Sequence, residues 1–130
     1  MARNTRTFSD LDLSFMMHPV THDVSIKYDE EAIKQSVKNL VLTNNYERPF
    51  HSEIGSQVQG LLFELASPIL AATLKKTITD TILNFEPRVN LTNVAVTVSP
   101  DNNEVYVSIE FMIINTTRPA VVNLILTRTR

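Results

Sequence analysis

One proline divides this chain into two hydrophobic rhythms. Before it, Leu70, Leu74, Ile78, Ile82 and Phe85 recur at helical spacing and form a single apolar stripe. Ser67 followed by Pro68 supplies an N-cap and a first-turn proline for that helix. After Pro87 the period drops to two. Val94, Val96 and Val98 alternate with Ala95 and Thr97, and Val105, Val107, Ile109, Phe111 and Ile113 alternate with Tyr106, Ser108, Glu110 and Met112. A third run sets Val122, Leu124 and Leu126 against Val121, Asn123 and Ile125. Turn residues Pro100–Asn103 and Asn115–Pro119 separate the runs, which predicts an antiparallel meander. Helices first and strands last make an α+β fold, with two to three helices on one face of a small antiparallel sheet.

Upstream, a helix should begin at Asp29, with Glu30 and Glu31 favourable at its positive end. Ile33, Val37, Leu40 and Val41 give it one apolar stripe, and Thr43-Asn44-Asn45 ends it. Val58, Leu61, Leu62 and Leu65 suggest a further short helix after the loop YERPFHSEIG. In that loop Arg48-Pro49-Phe50 is read as a brace, with Phe50 in the core, a direct partner contact being the alternative. Residues 1–23 are expected to form an irregular, extended arm in which Phe15, Met16 and Met17 pin it to the body or to a neighbouring subunit. Val24–Tyr28 alternates like a short strand. Residues 24–130 are then expected to form one domain, since a chain of 130 residues, 43% of them hydrophobic, suffices for one core.

Charge excludes some functions. A net charge of −2 and a pI near 5.9 leave no footprint for nucleic acid. The basic residues Arg3, Arg6, Arg118, Arg128 and Arg130 are too sparse for a polyanion groove, and read as solvated ends or partner contacts. No cysteine is present, which removes disulfides, thiolate zinc sites and cysteine nucleophiles and suits a reducing compartment. No apolar run reaches membrane-spanning length, and the start MARNTRTFSD has no apolar signal core. The glycosylation patterns at Asn90 and Asn115 are therefore read as chance matches. Two glycines, in GSQVQG, leave no phosphate-cradling loop.

Catalytic constellations are equally thin. Asp10, Asp12, Glu53, Glu64, Glu86 and Glu110 are available for glycoside chemistry, but nothing in their spacing pairs two of them. His18 and His22 flank Pro19, which blocks a metal-binding helical turn, and His51 stands apart. No serine sits in a nucleophile elbow. What remains is Glu86-Pro87-Arg88. The proline disfavours helical geometry at Glu86, so the helix should stop near Phe85. A carboxylate beside that negative helix end is unfavourable by about 0.3–1 kcal/mol. Arg88, a planar fork at fixed spacing, offsets it. Two readings are open: a local Glu86–Arg88 clamp, or a rigid two-charge plug for another protein.

The series FSDLDLSF, AIKQSVKNLVLT, RPFHSEIGSQVQGLLFE and NFEPRV, in that order, resembles the baseplate wedge, or sheath-initiator, proteins of contractile-tailed bacteriophages. It is similar as well to the corresponding subunit of type VI secretion baseplates. The resemblance runs from about Phe8 into the strands. It implies a non-enzymatic virion component, assembled in the host cytoplasm, without cofactor or metal. It also implies docking on the wedge core proteins through Glu86, Pro87 and Arg88. The tail sheath protein would pair with the strand of residues 120–127, whose outer residues are Val121, Asn123, Ile125 and Thr127, and with its neighbour at 104–114; the tail tube is a further expected partner, nucleic acid and membrane are not. Members of the family have also been labelled lysozyme-like. His51 departs from the acidic residue or proline usual at its place, and little sequence follows Leu126.

Overall fold

A computed structural model of the chain describes residues 8–64, 67–114 and 119–127. In chain order its elements are β1 (Ser9–Leu11), β2 (Ile26–Tyr28), α1 (Asp29–Leu42), α2 (Val58–Leu61), α3 (Pro68–Phe85), β3 (Val89–Ser99), β4 (Glu104–Ile113) and β5 (Pro119–Thr127). β3, β4 and β5 form an antiparallel sheet in that order, and β1 pairs with β2 in a separate two-stranded ladder. The fold is α+β, with α1 and α3 on one sheet face.

Period decides what is buried. On β4, Val105, Val107, Ile109, Phe111 and Ile113 all face inward, and on β5 Ala120, Val122, Leu124 and Leu126 do the same. Against them lie Ile33, Val37 and Val41 of α1 and Leu70, Leu74, Ile78 and Ile82 of α3. α3 packs on β3 and α1 on β5. Each such side chain contributes about 1.5–3 kcal/mol by leaving water. The Ser67 hydroxyl accepts from the Leu70 N–H, with Pro68 in the first turn, as the sequence led one to expect. β3 starts at Val89, earlier than its valine run, because a bulge between Leu91 and Asn93 resets its alternation.

Several expectations need correction. The first segment is not irregular throughout: β1 pairs with β2 in register, Ser9 opposite Tyr28 and Leu11 opposite Ile26, and Met17 bridges Val24. Residues 9–28 therefore make a hairpin-like arm whose Phe15, Met16 and Met17 are exposed instead of pinned on the body. Phe50 is wholly exposed. The 43–57 loop satisfies its own backbone: the Tyr46 N–H donates to the Ser52 carbonyl, the Ser56 N–H to the Thr43 carbonyl, and the Ser56 hydroxyl to the Val41 carbonyl. Gly55, at φ +141°, lies so close to Asn44 that a Cβ would meet backbone atoms at 2.8 Å. With the loop closed on its own bonds and Phe50 at φ +68°, the ring projects outward. β5 leaves its second face open, with Val121 and Ile125 exposed. Leu65, Arg3, Arg6, Arg118, Arg128 and Arg130 lie outside the described residues, as does most of the turn before Pro119.

Candidate docking surfaces

The end of α3 before Pro87 builds a charged corner. α3 ends at Phe85, and the Glu86 N–H still donates to the Ile82 carbonyl. Glu86 then turns its side chain inward, to 3% exposure. A carboxylate so placed needs partners, because an unpaired buried charge is costly. Arg88 supplies two: its Nε donates to Oε1 at 2.7 Å and its Nη2 to Oε2 at 2.9 Å. The Ser36 hydroxyl of α1 donates to Oε2 at 2.5 Å. The Ile114 N–H bonds the Arg88 carbonyl and fastens the corner to the end of β4. Burial alone would push the Glu86 carboxyl up, but the Arg88 and Ser36 hydrogen bonds and the Arg88 charge outweigh it and hold the group below its ordinary value. The Glu86 hydrogen bonds likewise raise Arg88 against its partial desolvation. The structure thus has the local clamp; Pro87 alone of the three is exposed.

Arg88 also looks outward. Its guanidinium stands 5.4 Å from the Phe8 ring centroid, and its Nη2 is 3.8 Å from Asp10 Oδ2. Beside it opens a cleft of about 490 Å³, lined in part by Leu13, Gln35, Asn39, Arg48 and Pro87. The sequence reading did not join Ser36, Phe8 or Asp10 to the corner, and named Asp10 only as an available carboxylate. They lie far from Arg88 along the chain, and no local pattern marks a residue that meets a charge only through the fold.

The second surface is the sheet margin. β5 pairs only with β4 among the described strands, so one edge of its backbone is unpaired. Val121, Asn123, Ile125 and Thr127 project from the face opposite the helices, where Ile125 sits across from Tyr106 and Val121 across from Glu110. Ile125 is 63% and Val121 44% exposed. The corner and the margin belong to different parts of the fold and share none of their residues.

The other candidate groups stay apart. Glu53 pairs with His51, at 3.3 Å on the surface, while Glu64 and Glu110 are exposed. Asp12 is held low by the Ser14 backbone N–H and by Lys27. His18 Nδ1 accepts the Val20 and Thr21 N–H groups of its own turn. Among the described residues no group of three or more His, Asp or Glu side chains is placed to hold a metal.

Residues 27–118 match the family model described as baseplate wedge protein gp25. The chain is 32% identical over 117 residues to the baseplate wedge protein gp25 of Enterobacteria phage T4, covering 88% of this chain and 86% of that one. This chain belongs to the gp25 baseplate wedge family. Its fold recurs in a Geobacter sulfurreducens crystal structure that carries a tail-lysozyme name, with a TM-score of 0.71 and 17% identity, covering 78% of this chain and 92% of that one. It recurs too in the baseplate of the anti-feeding prophage, with a TM-score of 0.65 and 21% identity over 95% of this chain and 87% of that one. The gp25-family match spans α1, α2, α3, β3 and β4, and includes the Glu86–Arg88 corner.

Proposed function

We propose that this gp25-family chain is a structural subunit of a contractile-tail baseplate wedge, a virion component assembled in the host cytoplasm. Its two surfaces divide the work. The Glu86–Pro87–Arg88 corner docks on the wedge core proteins, and the β5 margin, with Val121, Asn123, Ile125 and Thr127, accepts a strand from the tail sheath protein and so starts the sheath. The tail tube is a third neighbour. Residues 24–130 act as the domain and residues 1–23 as its arm, whose β1 is tied to the domain by its pairing with β2. The observation that carries this reading is the match to a baseplate wedge protein over most of both chains. The free β5 edge supports strand sharing, because an added strand makes many directional backbone bonds and holds under load. Backbone pairing takes place along the edge, so the four outward side chains serve as its flank and set which strand fits.

We read the chain as non-enzymatic. A glycosidase acid is a carboxyl with a raised pKa. Glu86, the buried carboxylate of the described residues, is instead held low and tied to Arg88 and Ser36. A purified chain should therefore leave peptidoglycan intact.

Reconstitution tests the proposal. Wedge core proteins mixed with the chain should form a complex, and adding sheath protein should then give ordered rings. Val121→Lys with Ile125→Lys should leave wedge binding and abolish ring growth. Rings growing normally on that variant would refute the role of the margin. Deleting the strand is a poor substitute, since Ala120, Val122, Leu124 and Leu126 are core residues.

A further inference from the structure

We infer that Arg88 is a latch for the chain's own first strand, so that the corner and the hairpin arm form one mechanical unit. The inference deepens the docking reading of the corner and rests on it for its consequence in the wedge, but not for its geometry.

Arg88 and the α1 residues Asp29 and Gln35 close the arm on the body. The Phe8 ring, packed at the rim of the hydrophobic core, lies under the Arg88 guanidinium at 5.4 Å. Asp10 of β1 sits 3.8 Å from Arg88 Nη2. At the start of α1, the Phe8 N–H donates to Asp29 Oδ1 at 3.1 Å and the Asp29 N–H donates back to the Phe8 carbonyl at 2.8 Å. Gln35 adds a long bond to the Leu11 carbonyl at 3.5 Å. β1 has only three residues and, among the described strands, a single partner, too little to hold itself. Its position therefore depends on those body contacts.

Arg88 is suited to this because its fork is already fixed. Glu86, buried and bonded through both oxygens, holds Nε and Nη2, leaving the guanidinium face for Phe8 and the outer side for Asp10. The pair with Glu86 is the strong one. The contacts with Phe8 and Asp10 are the weak ones, since Asp10 is 44% exposed and such pairs are worth little in water. A strong anchor bearing a weak latch can open without unfolding the corner. A wedge-core carboxylate that reaches Arg88 would compete with Asp10, so docking at the corner and release of β1 are coupled, and the coupling is reciprocal. Release would free the exposed Leu13, Phe15, Met16 and Val20 along with β1.

The test is amide hydrogen exchange on the isolated full-length chain, residue by residue. Asp10→Asn combined with Phe8→Ala leaves the Glu86–Arg88 bonds in place. Exchange at Asp12, Ser25 and Asp29, whose N–H groups bond within the arm or to it, should rise roughly tenfold, while α3 and β4 stay protected. Asp12→Asn, which removes the charge that meets Lys27 and the Ser14 N–H inside the arm, serves as control and should leave Asp29 unchanged. Unaltered arm exchange in the double variant would overturn the latch, and so would a matching rise in α3 and β4, because the contacts would then belong to global stability. Neither result depends on wedge assembly. A chain that shows the latch yet never enters wedges would count against the docking proposal alone.

Discussion

The charged corner and the β5 margin sit at opposite ends of a scale of completeness. At the corner every strong group is already used: Glu86 is buried, doubly bonded to Arg88 and bonded again by Ser36. At the margin no described strand pairs with the outer backbone edge, and two aliphatic side chains stand in water. A surface whose bonds are spent can offer a partner shape and register, but little new energy. One with unspent backbone groups and apolar area offers energy directly. Under the proposed function the two would take different tasks, orientation at the corner and load-bearing at the sheet.

The contrast is broken most forcefully at Arg88. Arg88→Ala strands the buried Glu86 and should cost about 3 kcal/mol of unfolding free energy, the low end for a broken buried pair because Arg88 is partly exposed. Urea denaturation measures it. A simple Arg88→Ala assembly experiment therefore mixes instability with lost docking. Glu86→Leu with Arg88→Met should recover most of the loss, since replacing both charges leaves none unpaired. If that stable double variant still fails to enter wedges, docking needs the charges themselves.

A pH titration gives a smaller effect at the same place. The folded state holds the Glu86 carboxyl below its ordinary value of 4.5, so the unfolded chain binds the proton more readily. The stability it contributes is complete above about that pH and fades as the pH falls below it. Glu86→Gln should flatten this acid limb in denaturation curves collected at successive pH values. The β5 margin predicts the opposite profile, with large effects on assembly and almost none on folding. Val121→Lys with Ile125→Lys should shift the unfolding free energy by no more than about 0.5 kcal/mol per site, because both side chains are already in water. Smallest of all should be Phe50→Ser, which removes a ring that touches almost nothing in the free chain and should leave the melting temperature unchanged.

Where the sequence was legible, physics was local. Period two on β4 marks every buried residue of that strand, and Ser67-Pro68 marks the start of α3, because one repeat or one cap suffices to fix each. The stop at Phe85 follows from Pro87 alone. The failures are non-local or self-satisfied. The sequence left clamp and plug equally open at Glu86, since only the fold brings up Ser36 from a separate helix. Phe50 looked like core because large aromatics usually are, but its loop closes through backbone bonds and Gly55, with no need of the ring. β1 was missed because three residues carry no period, and their partner strand β2 lies well along the chain. The identity of the family lay in the order of several short motifs, and the roles within it in contacts among them.

The most direct test of the whole account is a reconstruction of the assembled tail at side-chain resolution. It should show a sheath strand running along β5 in backbone register, and a wedge-core chain against Pro87 and Arg88. A particle in which the β5 edge faces solvent and no neighbour approaches Pro87 would contradict it.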